Sequence, residues 1–267
     1  MRGGRVESET TPVYPATYTA YLADKLPNTT TGPRPAVIIC GGGGFTHIAA
    51  HEQEPVAFEF LNRGFQAFTL DYVTSSTGDV SYPNPQADLA KMVATVRLNA
   101  SEWNVDPEKV VAIGFSAGGF ICASLATEWK SGPFAGLTGA RPEDIRPDAA
   151  ILCYPVIDFA YLRDQQTRDP RIDLRVPKTG GKTGRDLLND FLWCAADDKT
   201  APAAQVYPFA RRMAEEGVVH ELHVFSEGAH GLSVANRNTE SENVERQQAV
   251  HAWVDLAFDF LARQGIC

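Results

Sequence analysis

The chain of 267 residues contains 44% hydrophobic and 21% charged residues, close to the composition of ordinary globular domains. This composition excludes intrinsic disorder and a coiled coil. The longest uncharged apolar runs are far shorter than the ~20 residues of a membrane span, and the net charge of −9 leaves no basic stripe for nucleic acid. We therefore expect a compact chain with no nucleic-acid partner and no membrane partner.

Short apolar runs alternate along the chain with segments of helical apolar spacing. This alternation predicts βαβ units, and hence an α/β fold with a mostly parallel central sheet and helices on both faces. Residues 16–22 are predicted as an edge strand ahead of the parallel strands. The other predicted strands are residues 35–40, 66–72, 109–113, 148–156, 190–195 and 219–225. The predicted helices are residues 53–61, 85–103 (with Leu98 in its apolar stripe), 117–129, 203–217 and 242–263.

We expect a single domain over residues 1–267. Residues 158–189 interrupt the alternation with a charged stretch that has few apolar residues. Because this stretch follows a strand, at the edge where α/β sheets hold ligands, it is a candidate small cap or lid. An ordinary surface excursion is the alternative interpretation.

The cysteine pattern indicates free thiols and a reducing compartment. Four of the five cysteines lie within apolar segments, and none forms a C-x-x-C pair, so neither a zinc site nor a redox motif is expected. Residues 1–15 are polar and do not resemble a signal peptide. Together these features predict a cytoplasmic protein.

A G-x-S-x-G motif is formed by Gly114, Phe115, Ser116, Ala117 and Gly118. A predicted strand leads into the motif and a helix rich in small residues leads out, which is the setting of a nucleophile elbow. In so tight a turn, side chains in place of the two glycines would collide with neighbouring backbone. We predict that Ser116 is a nucleophile, with a structural serine in a glycine-rich turn as the alternative.

A serine hydroxyl needs a base to accept its proton. Of the six histidines, His230 alone lies in a loop directly after a late predicted strand, between flexible glycines. The imidazolium then needs a carboxylate, and Asp197 and Asp198 end another predicted strand. We favour Asp198 because it precedes Pro202 by four residues, as in the D-x-x-V-P arrangement, and Asp197 remains the alternative.

Residues 41–44 are four glycines that follow a predicted strand. Bare backbone amides can approach a developing negative charge closely, which favours an oxyanion-binding loop. A phosphate-binding loop is the alternative, but it requires a G-x-G-x-x-G spacing and a later acidic residue that are not evident. The predicted oxyanion donors are the amides of Gly43, Gly44 and Ala117.

Several aromatic residues near predicted strand ends or in the insertion could wall an acyl or sugar site, with routine core packing as the alternative. These residues are Phe45, Tyr72, Tyr154 and Tyr161. Glu52 and Glu54 open the helix after the glycine loop, where acidic side chains complement the helix dipole, and they receive no catalytic role.

The glycine loop and the stretches GFQAFTLDY, NVDPEKVVAIGFSAGG, WCAADDKTAP and ELHVFSEGAHGL resemble the α/β-hydrolase serine esterases. Among these, the chain is similar to bacterial acetyl esterases and acetylxylan esterases, some of which carry xylanase names. The resemblance runs from about residue 35 to the C-terminus. The chain departs from it at Gly41 and Phe45, where the family reads P-G-G-G-Y, and at His51, where an arginine is common.

The resemblance implies an α/β-hydrolase fold and the triad Ser116, Asp198 and His230, in the chain order of that family. It implies hydrolysis of short acyl esters, such as acetyl esters of small or carbohydrate alcohols, through an acyl-enzyme without cofactor or metal. The expected partner is a small-molecule ester, and a homo-oligomer stays open. A kynurenine-formamidase-like amidase or a peptidase could use the same triad, and a non-catalytic binding protein could share the scaffold.

Overall fold

A computed structural model describes residues 2–5, 16–25, 32–159, 161, 188–236, 239 and 249–267, with the backbone alone for residues 2–5. Within these residues the chain forms a sheet flanked by helices. The strands are β1 (Arg2–Arg5), β2 (Thr17–Tyr21), β3 (Arg34–Cys40), β4 (Gln66–Asp71), β5 (Val105–Phe115), β6 (Ala149–Cys153), β7 (Asp190–Ala195) and β8 (His220–Phe225). The helices are α1 (Glu54–Asn62), α2 (Asn84–Leu98), α3 (Ala100–Trp103), α4 (Ala117–Glu128), α5 (Phe134–Thr138), α6 (Pro142–Ile145), α7 (Tyr207–Glu215) and α8 (Trp253–Arg263).

The strands are ordered β1-β2-β4-β3-β5-β6-β7-β8 across the sheet. Strands β3 to β8 pair in parallel, and β2 is antiparallel to β4 and to β1. This arrangement confirms the predicted α/β fold with a mostly parallel sheet. Because the carboxyl ends of parallel strands share one edge, the segments that follow Cys40, Phe115, Cys153 and Ala195 meet there.

The central strands are apolar on both faces because helices cover both sides of a parallel sheet. Every residue of β6 and β7 is buried, and so is nearly every residue of α4, a helix that is apolar on all sides. At the other side of the core, Trp253 of α8 stacks on Trp193 of β7, with ring centroids 5.5 Å apart.

All five cysteines are free, and four of them are buried. Among the helices described, none is long and apolar enough to cross a membrane.

The strand predicted over residues 16–22 is confirmed as β2, Thr17–Tyr21, but its predicted position at the edge of the sheet is wrong. Strand β2 pairs with β4 on one side and with β1 on the other, so β1 is the edge of the sheet. The sequence of β1, RGGR, has no apolar alternation that would predict a strand. It pairs through backbone groups, and short charged segments are common at sheet edges.

The predicted helix over residues 85–103 is two helices. Asn99 separates them, and both its side-chain amide (2.8 Å) and its backbone amide (3.1 Å) donate to Thr95 O. Leu98, predicted in the apolar stripe, lies at the interruption and is 86% exposed. The last helix, α8, begins at Trp253 after a 3₁₀ turn, Val250–Ala252, while residues 242–248 of the predicted helix lie outside the described part.

The predicted cap over residues 158–189 also falls mostly outside the described part of the chain. Of that stretch, the structure describes residues 158, 159, 161, 188 and 189. The cap and the single-domain organisation therefore stay predictions.

The carboxyl group of Asp88 on α2 predicts a pH-dependent stability. Burial raises the pKa of Asp88 to about 7, against the opposing effect of a hydrogen bond from the Val73 amide (2.9 Å). An aspartate in an unfolded chain titrates near 3.9. Between about pH 4 and 7 the folded protein thus retains a proton that the unfolded chain has lost, and the free energy of unfolding decreases as pH rises.

We expect the variant Asp88→Asn, which keeps the acceptor for Val73, to lack this decrease. The difference in free energy of unfolding between variant and wild type should shift by about 1–3 kcal/mol in favour of the variant from pH 5 to pH 8. Urea denaturation at both pH values measures it. The variant Asp259→Asn removes an exposed acid of α8 and is the control. A difference between Asp88→Asn and wild type that is the same at both pH values would contradict the prediction.

Candidate active site

Ser116 lies in a sharp turn between β5 and α4. Its backbone has φ 52° and ψ −115°, a strained conformation for a residue with a side chain. A Cβ on Gly114 would lie 2.2 Å from Gly118 O, and a Cβ on Gly118 would lie 2.0 Å from Cys40 O. As expected from the motif, only glycine fits at both positions, and the turn holds Ser116 at the carboxyl edge of the sheet.

Ser116, His230 and Asp198 form a continuous chain of hydrogen bonds. The distance from Ser116 Oγ to His230 Nε2 is 2.8 Å, and that from His230 Nδ1 to Asp198 Oδ2 is 2.7 Å. When Nδ1 carries the hydrogen and donates a hydrogen bond to the carboxylate, Nε2 is the acceptor for the serine hydroxyl. The structure thus brings together three side chains that lie far apart in the sequence.

The two adjacent acids, Asp197 and Asp198, have different partners. Asp198 Oδ1 accepts hydrogen bonds from the amides of Thr200 (2.8 Å) and Ala201 (2.9 Å). Burial alone would raise the pKa of Asp198, but the bond to His230 and these two amides outweigh burial and lower the pKa below its ordinary value. Asp197 Oδ1 instead accepts from Gly228 N at 2.6 Å, which fixes the beginning of the loop that carries His230.

The glycine loop after β3 is held by bonds to its carbonyl groups. Gly41 O accepts from Tyr72 Oη (2.7 Å), Gly42 O from Ala49 N (3.1 Å) and Gly43 O from Thr46 N (3.1 Å). In a trans peptide the N–H points away from the preceding C=O, so these bonds also set the direction of the Gly43 and Gly44 amides. Within the described residues, neither of these two amides has a hydrogen-bond acceptor.

The backbone of this loop requires glycine. Gly43 and Gly44 have φ of +117° and +60°, and a Cβ on Gly43 would lie 2.2 Å from His47 O. Ala117 is the first residue of α4, where backbone amides have no partner inside the helix. The three predicted oxyanion donors are therefore amides that the fold leaves available.

Three of the four predicted wall residues are buried, and the fourth is half-buried. Tyr72 and Tyr154 are 2% and 1% exposed, so their rings offer almost no surface to a substrate. Phe45 is 4% exposed and packs against Phe120, with ring centroids 6.2 Å apart. Tyr161 is half-buried, and its backbone amide donates to Asp158 Oδ1 over 2.8 Å.

Glu52 is a residue whose importance the sequence did not predict. It ends a 3₁₀ turn, Ala50–Glu52, and is only 2% exposed. Its Oε2 accepts from Gly42 N (2.6 Å) and its Oε1 accepts from Tyr154 Oη (2.7 Å). From the sequence, Glu52 is expected only to complement the dipole of α1. Its two buried hydrogen bonds go beyond that expectation. An acid that closely follows a loop of bare amides was the available signal.

Gln205 was also missed. It is 1% exposed, and its Oε1 accepts from the amides of Ile157 (2.7 Å) and Asp158 (3.0 Å). The same segment after β6 is bound to the nucleophile turn, because Val156 N donates to Ser116 O over 3.1 Å. Gln205 therefore fixes the segment between the nucleophile and the predicted insertion. Nothing in its sequence surroundings distinguishes it from a surface glutamine.

No group of three or more His, Cys, Asp or Glu side chains in the described part of the chain could hold a metal ion. The arrangement around Ser116 offers a nucleophile, a base, an orienting carboxylate and free amides. Such groups can perform acyl transfer.

Comparisons with known proteins identify the family. A sequence profile of the BD-FAE family matches residues 24–186. Endo-1,4-beta-xylanase B of Butyrivibrio fibrisolvens is 34% identical over 216 residues, which are 76% of this chain and 33% of that protein. Acetylxylan esterase of Xylanibacter ruminicola is 30% identical over 213 residues, which are 74% of this chain and 41% of that protein. The chain thus spans well under half the length of these two relatives.

Among solved structures, the carboxylesterase Cest-2923 of Lactobacillus plantarum superposes with a TM-score of 0.83 at 27% identity. The match covers 100% of this chain and 98% of that one. It confirms the predicted α/β-hydrolase fold. The chain therefore belongs to the BD-FAE family, within the α/β-hydrolase esterases.

Proposed function

We propose that the chain is a serine carboxylesterase that hydrolyses short-chain acyl esters, acetyl esters above all, through an acyl-enzyme. The observation that carries the proposal is the bonded chain from Ser116 through His230 to Asp198 beside the anchored glycine loop. A base at 2.8 Å from a serine hydroxyl, itself held by an ionised carboxylate, is the arrangement that activates serine at neutral pH.

In the first half of the reaction, Ser116 Oγ attacks the ester carbonyl carbon while its proton passes to His230 Nε2. The tetrahedral intermediate then collapses, the bond to the alkoxy oxygen breaks, and His230 returns the proton to that oxygen. The alcohol leaves and the acyl group stays on Ser116. Asp198 stabilises the imidazolium that exists between the two proton transfers.

In the second half, water attacks the acyl-enzyme carbonyl as His230 Nε2 accepts one of its protons. Collapse of this intermediate breaks the bond to Ser116 Oγ, which regains the proton from His230. The products are the carboxylic acid and the free enzyme. In both halves, the amides of Gly43, Gly44 and Ala117 donate to the carbonyl oxygen as it becomes negative.

Aromatic packing beside Ser116 supports a short acyl group. Phe120 lies one helical turn after the nucleophile, and its ring contacts Phe45 (centroids 6.2 Å apart) and Phe159 (4.8 Å). All three rings are less than a tenth exposed, so they leave little room for a long acyl chain. The two relatives named for xylan support a carbohydrate alcohol as the leaving group.

The variant Ser116→Ala tests the nucleophile. We expect p-nitrophenyl acetate hydrolysis to fall by at least about 10³-fold, since no acyl-enzyme can form. A fluorophosphonate probe should label the wild type at Ser116 and leave the variant unlabelled. A wild type that stays unlabelled would favour a non-catalytic binding protein, and faster hydrolysis of a matched amide than of the ester would favour an amidase.

The adjacent acids allow a matched test of the orienting carboxylate. Asp198→Asn should lower kcat by about 10³–10⁴-fold, because the amide cannot stabilise the imidazolium. Asp197→Asn keeps an acceptor for Gly228 N and should lower kcat by less than about tenfold. Steady-state kinetics on the same ester measure both. Equal losses, or a larger loss in Asp197→Asn, would count against the assignment.

A series of p-nitrophenyl esters tests the acyl site. From acetate to octanoate, kcat/KM should fall by at least about tenfold, because the longer chain does not fit between the rings. Phe159→Ala should raise the octanoate-to-acetate ratio, whereas Phe58→Ala, at a ring that is 44% exposed on α1, should leave it unchanged. A wild type that prefers octanoate would refute the short-acyl proposal.

A further inference from the structure

A chain of buried hydrogen bonds joins the glycine loop to the loop that carries His230. Glu52 is the first member, bound to Gly42 N through one carboxylate oxygen and to Tyr154 Oη through the other. The phenol oxygen of Tyr154 in turn accepts from Ser233 N over 2.8 Å. Ser233 follows His230 by three residues and is fully buried. In this chain of bonds, one carboxylate and one phenol connect the two loops.

Further contacts connect the 3₁₀ turn that ends at Glu52 with the segment after His230. Ser233 Oγ donates to His51 O over 2.6 Å, and the ring Nε2 of His51 lies 3.0 Å from Gly231 O, to which it donates in the tautomer with hydrogen on Nε2. The imidazole of His230 itself lies against the Tyr154 ring, with centroids 5.1 Å apart. The space between the glycine loop and His230 is therefore occupied by Glu52, Tyr154 and Ser233.

Burial makes these contacts specific. An ionised carboxylate shielded from water is stable only where donors surround it, and bonds to a charged acceptor are stronger than neutral ones. Glu52 has two such donors, and the ring of His51 lies 3.9 Å from its Oε1. Burial, and then the nearby Glu52 carboxylate, raise the pKa of Tyr154 far above its ordinary value, so the phenol keeps the proton that it donates.

The peptide group between Gly41 and Gly42 is held at both ends by buried side chains. Tyr72 Oη donates to Gly41 O (2.7 Å), and Gly42 N donates to Glu52 (2.6 Å). The next two peptide groups carry the amides of Gly43 and Gly44. A rotation of the first peptide would therefore strain the bonds of Gly42 O and Gly43 O that set the direction of these amides.

We propose that Glu52 is a positioning residue that aligns the oxyanion donors with the nucleophile and the base. This inference rests on the proposed esterase function. Glu52 does not touch the substrate; it holds Gly42 directly and the His230 loop through Tyr154. Since the oxyanion exists in the transition state and not in the bound ester, misalignment lowers kcat more than it raises KM.

The chain offers a matched control pair. Tyr21 Oη donates to Glu54 Oε1 over 3.3 Å, a tyrosine–glutamate bond in which neither loop takes part. The test variants are Glu52→Gln and Tyr154→Phe, and the control variants are Glu54→Gln and Tyr21→Phe. The carboxylate of Glu52 accepts hydrogen bonds from two donors, Gly42 N and Tyr154 Oη. In Glu52→Gln, the side-chain NH₂ group replaces one acceptor oxygen and faces one of these donors.

The experiment compares p-nitrophenyl acetate with its thiono analogue, in which C=S replaces the carbonyl. Sulfur accepts hydrogen bonds poorly, so hydrolysis of the thionoester depends little on the oxyanion donors. Glu52→Gln and Tyr154→Phe should lower kcat for the oxo-ester by about 10- to 100-fold. The oxo-to-thiono ratio of kcat/KM should fall by a similar factor, and the control variants should keep the wild-type ratio.

An equal loss on both esters would show a general structural effect and overturn the inference, as would wild-type kcat in both test variants. If Glu52→Gln does not fold, as judged by circular dichroism, Tyr154→Phe decides the matter, because it keeps the ring and removes only the hydroxyl. Failure of the esterase proposal looks different: the wild type would then hydrolyse neither ester in a manner that depends on Ser116.

Discussion

The active site depends on backbone segments that approach each other more closely than side chains permit. The turn around Ser116, the end of β3 and the glycine loop meet at one point. A Cβ on Gly42 would lie 2.8 Å from both Ser116 Cβ and Glu52 Oε2, and a Cβ on Gly118 would overlap Cys40 O. Because no side chain fits between them, Ser116 and the glycine loop have one arrangement relative to each other.

A buried carboxylate, that of Glu52, lies beside the glycine loop. A carboxylate beside a site that would stabilise an anion is unfavourable if it is unshielded, because like charges repel. Glu52 is buried but faces an N–H and an O–H donor, which take up its lone pairs on the sides towards Gly42 and Tyr154. The two bonds hold the carboxylate, Gly42 and Tyr154 in one arrangement.

The parts that the sequence could predict are those in which a local pattern determines the structure. The apolar strands, the G-x-S-x-G turn and the loop position of His230 each follow from residues close together in the chain. The choice between Asp197 and Asp198 depended on the distance to Pro202, and the structure places Asp198 at the imidazole. By contrast, Glu52 contacts Tyr154, which is 102 residues away, and β1 pairs with β2 although its sequence, RGGR, has no apolar alternation. No local pattern carries such information.

The stacked indoles of the core have a practical consequence. Trp253 Nε1 donates to Ser233 O over 3.0 Å, while the amide of the same serine is bound to Tyr154. Trp193 lies directly against Trp253, and both rings are fully shielded from water. Indole fluorescence is sensitive to hydrogen bonding and solvent access, so any displacement of the segment after His230 changes the emission of this pair. The protein thus contains an intrinsic optical reporter of the order of the loop that carries His230.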